Sequence, residues 1–354
     1  MNMKKRNTEV DFLKLYFIII IMGVHSENLF GERVYFLNGA MAVEFFFLVS
    51  GYLMAKTALK RNPSINIGVA TRKFIIHKYA IVFPYLMVSL IVCIALRVHF
   101  LDMKLIGFFN IVWEVLCMQM AGYSIFSITG ITWYLSAMLI AMLILFPLLL
   151  WKRHIFINVI APLIAILFTG WLYVISGNLG SAPGQWFGYY NKGLIRAIAD
   201  ISIGVMCFEV CKKLQMIKFT RTGKFLLTGI EIICYGISSV WMVFYIAGER
   251  DFIILLLLAI GVTITFSEQS SVRKLFSYPK LSYCADYSMA LFFSHFTWSI
   301  ILTQNYLAHS PKVRLLIYFG ASIVTAGIVL FIVKITIRIT KALAVITKKL
   351  LIKN

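Results

Sequence analysis

Residues 10–30 read VDFLKLYFIIIIMGVHSENLF. A bilayer span takes about 20 predominantly apolar residues, and this stretch has that length. Lys4, Lys5 and Arg6 precede it, as in a secretion signal. Yet Asp11, Lys14 and His25 interrupt the apolar run, and no small-residue cleavage site follows. The stretch is therefore expected to stay in the chain as its first membrane span. The rest of the sequence agrees. The chain has 354 residues, of which 61% are hydrophobic and 14% charged, against about 25% charged in soluble domains. Mean hydropathy is +0.88. Such values exclude a soluble enzyme, a disordered chain and a disulfide-built secreted domain. They define an all-α polytopic membrane protein.

Further apolar segments fall near 37–57, 74–97, 104–120, 131–151, 155–175, 194–211, 225–247, 251–267, 281–305 and 314–340. With the first, that makes eleven. No internal repeat, low-complexity tract or linker marks a second domain, so residues 1–354 read as one membrane-embedded unit with spans from about 10 to 340. Loop charge sets the topology, because Lys and Arg gather on the cytoplasmic side. Three stretches are strongly basic: 56–78, 212–224 and the tail from Lys334 to Lys353. If all eleven segments cross, the 212–224 loop lands outside. If 104–120 does not cross, every strongly basic loop falls inside. That segment is short and contains Glu114. The expectation is ten transmembrane helices, a re-entrant or interfacial helix at 104–120, and both termini in the cytoplasm. It puts 25 of the 34 basic residues inside and 8 outside, with Lys14 within the first span.

The net charge of +20 then follows from topology. The basic residues lie in short loops, and no soluble basic domain could carry a duplex, so no nucleic-acid partner is expected. The six cysteines lie mostly in apolar stretches without metal-ligand or disulfide spacing. They read as small packing residues, and no metal site is expected.

Ionisable residues inside spans are the functional candidates. Lys14 and His25 are eleven residues apart, three turns plus roughly 20° at about 100° per residue, so they share a helix face. At about 1.5 Å per residue they lie roughly 16 Å apart along the axis. Asp11 is placed to pair with Lys14. This face suits a cavity that holds an anionic ligand at Lys14 and transfers a proton at His25. On spacing alone, Lys14 serves equally as an interfacial anchor and His25 as a helix-packing hydrogen-bonder. In the second span, Ser50-Gly51 reads as a small pair for close helix approach, while Glu44 needs a partner or water. Late in the chain, Ser288 and His295 are seven residues apart and share a face. His295 reads either as a satisfied core histidine or as a second site residue. Arg196 and Asp200, four apart, are expected to form an ion pair within their own helix. Trp133-Tyr134 reads as part of an interfacial aromatic belt.

In order and spacing, these elements resemble the membrane acyltransferase 3 family, bacterial integral-membrane enzymes that O-acetylate surface polysaccharides. The family's opening Asp-x-Leu-Arg, ten residues, then His looks like Asp11-Phe12-Leu13-Lys14 followed by His25. Its Phe-Phe-x-x-Ser-Gly-Phe/Tyr run is similar to Phe46-Phe47-Leu48-Val49-Ser50-Gly51-Tyr52. Its basic stretch before a Pro-started span looks like Arg72, Lys73, Lys78 and Pro84, and its Trp-Tyr-Leu-Ser run like Trp133 to Ser136. Its late Ser-x-x-x-Tyr-x-x-His element looks like Ser288 to His295. The likeness runs from about residue 8 to 340. Lys14 stands where the family usually has Arg, without the planar two-pronged contact of a guanidinium. Phe292 stands where Tyr is common. No extra-membrane hydrolase-like domain is expected after the spans.

The resemblance implies an O-acetyltransferase of the bacterial inner membrane, moving an acyl group, acetyl first of all, from cytoplasmic acyl-CoA to a sugar hydroxyl. Acetyl-CoA would be a donor substrate, and no permanently bound cofactor is expected. The partners would be acyl-CoA, a saccharide or lipid-linked saccharide, and membrane lipid. Lys14, Arg72, Lys73 and Lys78 would hold the coenzyme phosphates. Ser50, Gly51 and Tyr52 would line the acyl channel. His25 would be general base or acyl-carrying nucleophile, with His295 and Ser288 supporting it. The rival class is a transporter or flippase for lipid-linked saccharides, which would also use buried charge. It lacks inverted repeats and paired Gly/Pro-broken segments here. A receptor or sensor without chemistry is a third class.

Overall fold

The structure is a computed structural model that describes residues 7–30, 35–61, 65–101, 111–123, 127–180, 184–305 and 309–353. Ten helices of 16 residues or more are present among them. They are α1 (Thr8–His25), α2 (Ala42–Leu59), α3 (Ile67–Leu101), α4 (Thr132–Trp151), α5 (Ala161–Ser176), α6 (Lys192–Met216), α7 (Arg221–Phe244), α8 (Asp251–Ser267), α9 (Tyr283–Asn305) and α10 (Pro311–Lys353). The one sheet among the described residues is a two-stranded ribbon pairing Trp186–Phe187 with Tyr190–Asn191. The chain is an all-α integral membrane protein, and six helical stretches are long and apolar enough to cross a bilayer. Those six contain α2, α3, α4, α5, α7 and the first 33 residues of α10. Outside those six, α1, α6 and α9 bury polar side chains, among them Asp11, Arg196 and His295.

Local chemistry sets several helix starts. Asn7 caps α1 by accepting from the Val10 amide, Asn191 caps α6 through the Gly193 amide, and Thr220 caps α7 through the Gly223 amide. At about 1.5 Å per residue, the 35 residues of α3 reach roughly 52 Å. That exceeds a hydrocarbon core of about 30 Å, so α3 overhangs it.

Hydrogen bonds gather the helix ends. Arg153, just past α4, donates to the Ala58 carbonyl of α2 at 2.8 Å. Gln215 of α6 donates to Phe266 of α8 at 3.1 Å, and Asn7, ahead of α1, donates to Thr265 of α8 at 3.3 Å. These ends form the basic end of the bundle. At the opposite end the Asp251 carboxylate accepts from the Asn38 amide group at 2.6 Å, the Trp241 indole at 3.0 Å and the Leu179 amide at 3.0 Å. One carboxylate thereby ties three connections together.

Among the described residues, α2 crosses α6 at backbone contact. A Cβ on Gly51 would come within 2.1 Å of the Ile201 carbonyl oxygen, and one on Gly204 within 2.2 Å of the Leu48 carbonyl oxygen. Backbones meet here because neither helix carries a side chain at the contact. Gly51→Val should force the helices apart. A loss of about 1–3 kcal/mol is expected for such overpacking, read as a lower melting temperature in detergent. An unchanged melting temperature would disprove the contact.

Two expectations from the sequence are corrected. Arg196 does not take Asp200 as its ion-pair partner. Its Nε and Nη2 donate to Glu44 Oε1 across the α2–α6 contact, at 2.9 and 2.6 Å, with both side chains fully buried. Arg196 and Asp200 lie one turn apart on α6, and it is the Glu44 carboxyl of α2 that reaches the guanidinium. Nor do Trp133 and Tyr134 form a lipid-facing belt. The Trp133 ring lies 5.9 Å from the Arg196 guanidinium, and the Tyr134 ring 4.8 Å from that of Phe47. Both point inward because the segment before α4 covers the start of that helix: Gln119 donates to Thr132 and the Met120 amide to Ser136.

Of the segment expected to be re-entrant or interfacial, residues 104–110 lie outside the described residues, as do Lys4, Lys5 and Arg6. The remainder is the five-residue helix Ile111–Val115 and a 3-10 turn at Gln119–Ala121. Five residues rise about 7.5 Å, a quarter of the core thickness, so this part does not cross.

Candidate functional site

A cavity of about 410 Å³ lies between α1, α2, α3, α4 and α9. That is the size of a small-molecule pocket. Lys14, Lys78 and Asp286 line it toward the basic end, and Ile21, Val43 and Phe292 toward the other. Its walls are mostly apolar, with Ser50, Tyr134, Met138 and Ser288 among them. Lys14 stays within 3.7 Å of buried Asp11, which holds the ammonium near the mouth. Asp286 meets Lys334 of α10 at 3.8 Å.

The far end of the cavity stops one turn short of two histidines. Ile21 precedes His25 by four residues on α1, and Phe292 precedes His295 by three on α9. The two imidazole centroids are 5.4 Å apart. His295 is fully buried, and its Nδ1 lies 2.9 Å from the Leu291 carbonyl oxygen. A carbonyl only accepts, so Nδ1 carries the proton. In the neutral ring Nε2 then holds a lone pair, and no hydrogen-bond partner meets it among the described residues. His25 ends α1 half-buried. Its carbonyl accepts from Ser299 at 2.7 Å, and the Phe296 ring stands edge-on to its own at 4.8 Å. Two imidazoles this close can hold a proton, relay it, or accept an acyl group.

The structure brings Asp11, Lys14, Lys78, Ser50 and Ser288 to the cavity or its mouth, and His25 and His295 to its far end. Arg72 and Lys73 are exposed on the overhanging start of α3 and do not line it. Gly51 and Tyr52 do not line it either. Ser50 faces the cavity, and the next two positions turn about 100° and 200° away. Gly51 meets α6, while Tyr52 stacks on Phe266 at 3.8 Å and bonds Cys211 at 3.2 Å. Glu44 is committed to Arg196. Reading the sequence missed Tyr134, Met138 and Asp286 as cavity residues and Phe296 as a contact of His25. The four-residue step from Tyr134 to Met138 and the place of Phe296 beside His295 were the available signals. The described residues hold no cluster of three or more His, Cys, Asp or Glu side chains suited to a metal ion.

A helical bundle in the bilayer, with a cation-mouthed apolar cavity that ends one turn short of paired imidazoles, suits group transfer within the membrane. The chain is a member of the acyltransferase 3 family: the family's acyltransferase domain matches residues 7–334. The protein is thus an integral-membrane acyltransferase by family. No curated protein and no solved structure matches the chain.

Proposed function

We propose that this acyltransferase moves an acyl group, acetyl in the first instance, from cytoplasmic acyl-CoA to a hydroxyl of a saccharide or lipid-linked saccharide on the outer side of a bacterial inner membrane. The observation that carries this reading is the cavity running from Lys14 and Lys78 to within one turn of His25 and His295. Ten crossings with the basic end in the cytoplasm put the lysines where a cytoplasmic coenzyme arrives. The ammonium groups of Lys14 and Lys78 attract its phosphates, and exposed Arg72 and Lys73 extend the field outward. The apolar walls admit the thioester arm and exclude water.

At the far end the chemistry balances simply. The acceptor oxygen bonds to the acyl carbon, the carbon–sulfur bond breaks, and the hydroxyl proton leaves with the thiol. His25 removes that proton, or first takes the acyl group itself and passes it on, with His295 holding or returning the proton. A flippase reading draws no support from an acyltransferase family. Nor do the buried charges of Glu44, Arg196 and Asp200 line the cavity.

Membrane vesicles holding the protein, given radiolabelled acetyl-CoA and cell-envelope glycan, should pass label to the glycan above the level of empty vesicles. No label from acetyl-CoA or any other short acyl-CoA would overturn the reading. Lys14→Gln should raise KM for acyl-CoA about tenfold, the equivalent of 1.4 kcal/mol, and leave kcat nearly unchanged. A fall in kcat alone would place Lys14 outside the coenzyme's path.

A further inference from the structure

Glu114, on the short helix Ile111–Val115, is fully buried, and nothing in the acyl-transfer reading uses it. Its carboxylate nevertheless organises the turn at 127–130. Oε2 accepts from the Ile128 amide at 2.7 Å. Oε1 accepts from the Thr129 amide at 3.0 Å and from the hydroxyls of Thr129, Ser127 and Thr132 at 2.6, 2.7 and 3.3 Å. Bonds to an ionised acceptor are the strong kind. A carboxylate is acceptor-only, which suits five donors in one place. An amide there would turn N–H groups onto N–H and O–H groups.

The turn is fixed from its other sides too. The Ser127 hydroxyl accepts from the Gly130 amide at 2.9 Å. The Ile128 carbonyl accepts from Arg97 of α3 and, at 3.3 Å, from Thr297 of α9. Gly130 follows, in the left-handed region at φ +75°. A Cβ there would lie 1.8 Å from the Phe296 ring, so that ring rests directly on the glycine backbone. The same ring also meets the His25 imidazole, 4.8 Å away and nearly perpendicular. A continuous set of contacts thus runs from Glu114 through the turn to Phe296 and on to His25.

We propose that Glu114 is a positioning residue for His25, acting through the 127–130 turn and Phe296. The proposal rests on the reading of His25 as the acyl-transfer centre. It also gives the short segment before α4 a purpose, since that segment carries the carboxylate that locks the turn beside the histidine pair.

The test follows modification of His25 by diethyl pyrocarbonate in the purified full chain, read by peptide mass spectrometry. Exposed His77 serves as the internal reference. kcat and KM for acyl-CoA are measured in parallel. Glu114→Gln should raise the His25 labelling rate several-fold as the Phe296 ring loosens, leave His77 unchanged, and lower kcat about tenfold or more with KM unchanged. Phe296→Leu should reproduce the labelling change, and Glu114→Gln in that background should add little, because both act along one path. Unchanged His25 labelling in Glu114→Gln, or full additivity with Phe296→Leu, would overturn the proposal. Should Glu114→Gln fail to fold, Ser127→Ala removes one of the five donors to Glu114 together with the link to Gly130, and the same two readings decide. Labelling needs no turnover. A wild-type protein that transfers no acyl group would therefore sink the acyl-transfer reading alone, while the contact path stood or fell on the labelling.

Discussion

Replacing His25 with Ala should lower acyl transfer about 10³-fold at matched expression, the middle of the range for loss of a positioned acid–base group. KM for acyl-CoA should stay near the wild-type value, because the lysines that meet the coenzyme lie at the other end of the cavity, Lys14 three turns down α1 and Lys78 on α3. Folding should survive, since the ring is half-buried at the end of its helix, where it packs on His295 and Phe296. The measurement is label transfer in vesicles, with detergent-solubilised melting curves as the fold control. Wild-type rates in the folded His25→Ala protein would remove His25 from the mechanism. The same preparation separates the two roles open to the imidazole. Without acceptor, an acyl-carrying His25 retains label on the protein that hydroxylamine releases, whereas a general base retains none.

The second large effect is on stability. Arg196→Met should leave the Glu44 carboxyl buried without its cation. Breaking a buried pair from one side costs about 3–5 kcal/mol. Little monodisperse protein should survive extraction, by size-exclusion profile and thermal melt. Adding Glu44→Met to Arg196→Met should recover part of the loss, because burying two apolar side chains is cheaper than burying one unpaired charge. A single Arg196→Met variant as stable as wild type would show that the pair contributes nothing to the fold.

The parts of this molecule that were legible in the sequence are those written within one helix. The first helix was readable from its apolar length. The common face of Lys14 and His25 followed from helical pitch, as did that of Ser288 and His295. What the sequence withheld is which face meets which neighbour. The pairing of Arg196 with Glu44 joins residues 152 apart in the chain, and spacing offered Asp200 first. Ser50, Gly51 and Tyr52 read as one motif, yet pitch sends Ser50 to the cavity and its two neighbours elsewhere. Trp133 and Tyr134 sit at a helix start, where aromatic residues often mark an interface. Only the covering segment, held by Gln119 and Met120, turns them inward. The meeting of His25 with His295 follows from the packing of α1 on α9, which no single-chain period encodes.

The Glu44–Arg196 contact also bears on how the chain enters the membrane. Synthesis proceeds from the N-terminus at about 5–20 residues per second, so roughly 8–30 s separate the appearance of Glu44 from that of Arg196. Throughout that interval α2 carries a carboxyl whose final partner does not yet exist. A carboxyl facing lipid is expensive, so α2 has to wait in a sheltered place, protonated or beside the insertion machinery, until α6 arrives. A chain cut short before residue 196 has no means of ending that wait. Truncated products should remain bound to insertion and quality-control factors, and release should begin once α6 is complete.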